Sequence, residues 1–131
     1  MWVPALMAAL LVGVAPAGAS TSARVASLKV TIPAAMARGS VLKVTARGYS
    51  GKYNALSWAA QYGASSSCAG PVSSTIGMQV VPKAHSFSVK FTNIEGAPGT
   101  LMVCVYLYAS GPHANDTKGH YLVKSARVKV S

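Results

Sequence analysis

The chain has 131 residues, with twelve lysines and arginines against two acidic residues, and its formal net charge is +10. A chain of this length holds one domain and leaves no room for a second large core. Its two carboxylates, Glu95 and Asp116, are too few for mechanisms that need a carboxylate pair and an oriented base, so the composition disfavours most hydrolase and metal-carboxylate chemistry.

The start of the chain differs from the rest because it is dominated by an apolar run. Small residues close this run at Ala17, Gly18 and Ala19, which is the A-x-A pattern that signal peptidases require. The run is shorter than the roughly 20 residues that span a bilayer. We therefore predict a signal peptide over residues 1–19 and a secreted mature domain over residues 20–131, with no transmembrane segment after cleavage. Retention of the run as a membrane anchor is the alternative.

Beyond this stretch, apolar residues alternate with polar ones, and a period of two is typical of half-buried β-strands. Turn signals such as Pro33, Gly48, Gly63 and Pro82 separate the alternating runs. The predicted strands cover residues 28–32, 42–47, 56–62, 76–80, 86–92, 100–109 and 121–130. The serine-rich segment 63–74 is predicted to be a loop. This pattern of short strands predicts a small antiparallel β-sandwich, with a closed barrel as the alternative.

Three segments of the chain resemble strands of a known family. Residues 28–33 read LKVTIP, residues 39–51 read GSVLKVTARGYSG, and residues 97–108 read APGTLMVCVYLY. They resemble the A, B and F strands of immunoglobulin-like domains in secreted bacterial proteins. Trp58, on the third predicted strand, also matches the core tryptophan that is common in such sandwiches. The resemblance implies an immunoglobulin-like antiparallel β-sandwich of about seven strands over residues 28–130.

The two cysteines, Cys68 and Cys104, are predicted to form one disulfide, because a secreted chain meets an oxidising compartment. Free thiols or a metal pair are the alternatives. In the sixth predicted strand one face is aliphatic, and the other carries Met102, Cys104, Tyr106 and Tyr108. The aliphatic face makes the better core, so Cys104 is expected to point outward, where Cys68 can pin the serine-rich segment across the sheet. The opposite parity, with Cys104 inward, stays open.

If Cys104 points outward, the same outer face gathers side chains that suit contact with a ligand. A tyrosine combines an apolar ring with a polar hydroxyl, and neighbouring cations favour a partner surface. The predicted ligand or partner face consists of Met102, Tyr106, Tyr108, Arg127 and Lys129. The alternative is that segment 63–74 covers the tyrosines as a small second core.

The other cations fall singly, at outward strand positions or in turns. Charges at such positions keep a sandwich soluble and limit pairing at sheet edges. A chain with a net charge of +10 also attracts anionic surfaces. No nucleic-acid-binding motif is present, so we expect no specific nucleic-acid recognition. The expected partners are an extracellular protein or an anionic envelope polymer.

The loop PHANDTKGH holds the candidate metal ligands His113, Asp116 and His120. Imidazole and carboxylate groups suit zinc or copper, but a hairpin loop has no helix to set their geometry, so we predict no metal and no cofactor. The chain has no G-x-S-x-G, phosphate-loop or H-E-x-x-H motif, and disulfide-bonded cysteines cannot act as nucleophiles. We therefore predict that the protein is not an enzyme.

Together these features favour a secreted, monomeric and non-catalytic binding or adhesion module at the cell envelope or in the extracellular space. Anionic polymers are one class of target. The segment GSVLKVTARG is also similar to the B strand of neocarzinostatin-type apoproteins, secreted sandwiches with an apolar ligand in a cleft, which implies a carrier. A purely structural domain is the third class, because a fold does not determine a function. A deep apolar pocket near the tyrosines would favour the carrier, and a flat basic face would favour the adhesion module.

Overall fold

The computed structural model describes residues 24–63, 66–72, 75–111 and 120–131. The predicted signal peptide and two candidate metal ligands, His113 and Asp116, lie outside the described residues. Among the described residues, no helix is long and apolar enough to cross a membrane. The strands are β1 (Ser27–Thr31), β2 (Ala35–Met36), β3 (Val41–Tyr49), β4 (Ala55–Tyr62), β5 (Gly77–Val80), β6 (Ser86–Ile94), β7 (Gly99–Tyr108) and β8 (Tyr121–Val130).

These strands form two sheets that pack face to face. One sheet has the order β1–β3–β6, and the other has the order β2–β8–β7–β4–β5. Every pair of neighbours is antiparallel except β2 and β8, which run parallel. The antiparallel β-sandwich predicted from the period of two is therefore confirmed. The two-residue strand β2 is an addition that the sequence pattern did not predict.

Strand β2 fastens the early part of the chain to its last strand. The Ala34 carbonyl accepts a hydrogen bond from the Lys129 N–H at 3.0 Å, and the Met36 carbonyl accepts one from the Ser131 N–H at 3.0 Å. The Arg38 N–H donates to the Ser131 carbonyl at 2.8 Å. The chain passes from the first sheet to the second between β1 and β2. These bonds join β2, the first strand of the second sheet along the chain, to β8, its last.

The core lies between the two sheets. The inward side chains of β7 are Leu101, Val103, Val105 and Leu107, as the parity argument predicted. Trp58 of β4 stacks on Phe91 of β6, with ring centroids 3.9 Å apart, so an aromatic pair joins the sheets. Gly77 of β5 leaves room for the indole, since a Cβ at this position would clash with the Trp58 ring. Burial of each aliphatic side chain in this core contributes about 1.5–3 kcal/mol to the free energy of unfolding.

Candidate functional site

A disulfide fixes a loop across the outer face of the five-stranded sheet. Cys68 and Cys104 are joined with an S–S distance of 2.05 Å and a Cα–Cα distance of 5.8 Å. Cys104 points to the outer face of β7, as predicted, and is only 3% exposed. The loop that Cys68 belongs to, residues 66–72, is called the strap below. The predicted disulfide is confirmed, and it anchors the strap to β7.

Hydrogen bonds hold the strap to the sheet beneath it. The Ser57 hydroxyl, in β4, donates to the Pro71 carbonyl at 2.6 Å. The Gly70 N–H donates to the Tyr106 hydroxyl, in β7, at 3.1 Å. Ser57, Gly70 and Pro71 are all buried, so these bonds satisfy polar groups that the strap removes from water. The strap is thus packed and bonded onto the sheet as well as covalently anchored.

The strap bonds to Tyr106, and both tyrosines of the predicted ligand face are buried in one cluster with Cys104. Tyr106 is 1% exposed and Tyr108 is 2% exposed. They form a second small core with Ala55, Ala59 and Cys104. Burial raises the pKa of the Tyr106 and Tyr108 phenols above the usual tyrosine value. The structure therefore adopts the covered arrangement that the sequence left open, and these two side chains have almost no surface for contact with a partner.

The other members of the predicted face keep some exposure. Met102 is half-buried and pairs with Arg127, while Lys129 pairs with Thr100 in the ladder between β7 and β8. Arg127 and Lys129 are exposed, but the Arg127 guanidinium donates to the Ser66 carbonyl of the strap at 3.1 Å. The structure thus brings all the predicted residues to one side of the sheet, and it leaves two cations exposed there.

The opposite side of the sandwich carries a denser set of cations. The strands β1, β3 and β6 direct alternate residues outward, and in the middle of this sheet those residues are basic or hydroxylated. The set, called the basic face below, consists of Lys29, Thr31, Lys43, Thr45, Arg47, Ser88, Lys90 and Thr92. All are exposed except Thr45, which is half-buried. Four cations with hydroxyl groups between them and no carboxylate make this a positively charged surface.

The strand register determines how closely the cations of the basic face are spaced. Lys29 lies directly opposite Arg47, and Lys90 lies directly opposite Thr45. Lys43 lies opposite Thr92. With about 4.8 Å between strands and about 3.3 Å per residue, the four cations occupy a patch of roughly 13 Å by 10 Å. Like charges placed directly opposite each other, as Lys29 and Arg47 are, oppose the pairing of the two strands.

The described residues offer little material for a metal site. No group of three or more His, Cys, Asp or Glu residues in this part of the chain could hold a metal ion. His120 is exposed just before β8, and its predicted companions His113 and Asp116 are outside the described residues. Glu95 is 5% exposed and accepts a hydrogen bond from the Asn93 side chain. The predicted absence of a metal, a cofactor and an activity stays a prediction.

Comparisons with known proteins agree with the fold. No family model matches the chain, and no curated protein matches it. The sulfur carrier protein SoxY from Chlorobium limicola f thiosulfatophilum superposes with a TM-score of 0.50 at 16% identity, over 85% of this chain and 81% of that chain. The CARDB domain of a Pyrococcus furiosus protein, solved in complex with di-metal ions, gives 0.47 at 8% identity, over 81% and 89% of the two chains. The SoxY likeness supports the fold alone.

Proposed function

We propose that the protein is a secreted, non-catalytic binding module that attaches to anionic polymers of the cell envelope or extracellular space through its basic face. The observation that carries this proposal is the set of four cations on one sheet face, with Lys29 directly opposite Arg47 and no carboxylate between them. The β-sandwich supplies a rigid, flat support. The disulfide suits a compartment outside the cytosol, where thiols oxidise.

Holding four cations together on one sheet face has a cost in stability. A surface shaped only for solubility does well when both signs of charge are interspersed, and like charges directly opposite each other weaken a sheet. A polymer with repeated phosphate, sulfate or carboxylate groups neutralises several of these cations at once. Each exposed ion pair contributes only about 0–1 kcal/mol, so affinity comes from many contacts made together. Binding of this kind weakens as salt screens the charges.

The alternative function, a carrier of an apolar ligand, has less support, because its pocket was expected near the tyrosines of β7. A carrier of that type needs an apolar cleft beside the tyrosines of β7. The strap bonds to Tyr106 there, and Tyr106 and Tyr108 are at most 2% exposed, so neither ring lines an open cleft. The structure offers a flat basic face on one side and a closed second core on the other, which favours a binding module.

The proposal is tested by binding of the purified protein to dextran sulfate beads, with uncharged dextran beads as the reference, across a salt series from about 0.05 to 0.5 M. The face variant replaces Lys29, Lys43, Arg47 and Lys90 with Gln. The matched control variant loses the same formal charge elsewhere, by replacement of Arg38, Lys83, Lys124 and Lys129 with Gln. We expect the face variant to bind at least ten-fold more weakly than the control at low salt.

Several outcomes would overturn the proposal. Equal losses in the two variants would mean that only the net charge matters. Wild-type binding that persists at the highest salt would point to a specific protein partner, and absence of binding at low salt would leave the basic face without a polyanionic target. The same series on isolated envelope of the producing cells checks that the natural surface behaves like the beads.

A further inference from the structure

A cavity of about 530 Å³ lies at the end of the sandwich where β3 ends and β8 begins. Its walls come from residues before β1, from the turn after β3, from the turn before β6 and from the start of β8. Small-molecule sites commonly have volumes of about 300–1,000 Å³ and lie where several chain segments meet. The cavity shares no lining residue with the basic face.

Two cations line this cavity, and each is held over an aromatic ring. The Arg24 guanidinium carbon lies 4.2 Å from the centroid of the Tyr49 ring. The Lys52 ammonium nitrogen lies 5.4 Å from the centroid of the Tyr53 ring. Such cation–π contacts keep the charged groups close to the tyrosines while leaving N–H donors available. Both cations therefore stay at the cavity wall, where their donors can meet an anion.

The described residues place no acidic group beside the cavity to offset its positive charge. Among the described residues, no Asp or Glu lines the cavity. Glu95 follows the end of β6 that pairs with Val41, whereas Tyr49 is at the other end of the nine-residue strand β3. At about 3.3 Å per residue, this strand separates them by roughly 26 Å. The cavity therefore favours a negatively charged occupant.

One wall of the cavity is fixed by hydrogen bonds between two turns. The Ser50 N–H donates to the His85 carbonyl at 2.9 Å, and the Ala84 N–H donates to the Gly51 carbonyl at 2.8 Å. The Ser50 hydroxyl is fully buried and donates to the Pro82 carbonyl. Ala84 has a φ of 55°, a left-handed conformation that a non-glycine residue rarely adopts. The paired turns hold this wall in a defined shape before any ligand arrives.

We infer that this cavity binds a small organic anion, with a carboxylate or sulfonate head on an aromatic or aliphatic body. Arg24 and Lys52 bind the head, because they are the charged groups in the lining. Val25, Tyr49 and Leu122 contact the body, because they supply apolar and aromatic surface. This site is separate from the polymer-binding face of the proposed function, and the two take ligands of different size.

The test compares two probes of nearly equal shape, naphthalene-2-carboxylate and the uncharged naphthalene-2-carboxamide, by isothermal titration calorimetry. We expect saturable one-to-one binding of the carboxylate and at least ten-fold weaker binding of the carboxamide. The double variant Arg24→Gln/Lys52→Gln is expected to weaken carboxylate binding at least ten-fold and to leave carboxamide binding unchanged. Lys83→Gln/Lys124→Gln is the matched control, since it also removes two cations and neither of them lines the cavity.

A second variant tests the location independently of charge. Val25 is 82% exposed, so Val25→Trp adds bulk at the cavity with no cost to the core, and it is expected to abolish binding of both probes. Equal affinity for the two probes, unchanged binding in the double variant, or no carboxylate binding by the wild type would overturn the inference. Since the sites share no residue, the basic-face variant should bind the carboxylate normally, and failure of one test leaves the other result intact.

Discussion

The two outer faces of this sandwich use the same alternation of side chains in different ways. On the β1–β3–β6 sheet the outward residues are lysine, arginine, threonine and serine, and they are exposed. On the five-stranded sheet, the outward residues of β7 include a cysteine and two tyrosines, and they are buried beneath the strap. The first face is an open charged surface, whereas a second core fills the centre of the other face and leaves Arg127 and Lys129 exposed.

The difference shows that alternation identifies the inner face of a sheet but does not tell whether the outer face is open. The chemistry of the outward residues makes that distinction. Long charged side chains keep their polar ends in water, whereas an aromatic ring gains when another segment covers it. A cysteine among the outward residues adds a covalent reason for the cover.

Replacement of both Cys68 and Cys104 with Ser should have the largest effect on the five-stranded sheet. The disulfide joins residues with a sequence separation of 36, and loop entropy for that length gives about 4 kcal/mol as an upper estimate of its contribution. Urea unfolding measures the loss, and near-ultraviolet circular dichroism reports whether the tyrosines stay packed. Binding to dextran sulfate at a temperature where the variant is folded is the control. A loss below about 1 kcal/mol would contradict this account of the strap.

Substitution inside the sandwich should disturb the support that both faces share. Gly77→Ala places a methyl group against the Trp58 indole, and we expect a loss of about 1–3 kcal/mol in the free energy of unfolding. Gly96→Ala is the control, because a Cβ at Gly96 meets nothing within 4 Å. Urea unfolding compares the two variants. Equal stability of the two would show that the indole moves aside at no cost.

Loss of one hydroxyl should loosen the strap without breaking its covalent anchor. Tyr106→Phe removes the acceptor for the Gly70 N–H and is expected to cost about 1 kcal/mol in the free energy of unfolding. Tyr108→Phe is the comparison, and we expect a smaller loss. Hydrogen exchange of the Gly70 amide should accelerate in the first variant alone. Unchanged exchange would mean that the disulfide holds the strap without this bond.

Alkaline pH should weaken the covered face selectively. Burial raises the pKa of Tyr106 and Tyr108 in the folded state, so the unfolded chain releases these protons first. Their contribution to stability is fully present below the unfolded pKa of about 10 and is lost as the pH rises through the folded pKa. Urea unfolding between pH 8 and about 11 should show this decline, with a shallower slope in Tyr106→Phe. Identical slopes would contradict the assignment.

The basic face should show the smallest effect on stability. Lys29→Gln removes a like-charge contact with Arg47, so stability should stay within about 0.5 kcal/mol of wild type or rise slightly. Lys43→Gln, opposite Thr92, is the control without that contact. Thermal unfolding at low salt measures the difference. A loss above about 1 kcal/mol for Lys29→Gln would mean that this face is structural, contrary to its proposed role.

Much of the fold follows from local patterns in the sequence. The period of two located the long strands, and the aliphatic parity of β7 correctly placed Cys104 on the outer face. The same argument named Tyr106 and Tyr108, but burial beneath the strap depends on the path of a serine-rich loop that has no periodic signal. Strand β2 has two residues, which is too short to show an alternation of polar and apolar residues.

The candidate sites depend on features that the sequence pattern does not contain. The outward cations were recognised individually, yet their grouping on one face requires the order β1–β3–β6, which arises from tertiary packing. The cavity requires Arg24 and Lys52, from separate segments, to line the same space. The sequence indicates this cavity only by two basic residues, Arg24 and Lys52, and two tyrosines, Tyr49 and Tyr53. Strand order and loop paths therefore determine where the candidate sites lie, and neither is contained in the local alternation of residues.

The parallel pairing of β2 with β8 has a mechanical consequence. If the chain is pulled between Pro33, just before β2, and Ser131, β2 is drawn backward and β8 forward along a common axis. The hydrogen bonds from Lys129, Ser131 and Arg38 then bear the tension together, in shear, instead of opening one after another. If the protein is held on a surface by one face while force acts along its chain, the short β2–β8 pairing would resist that force.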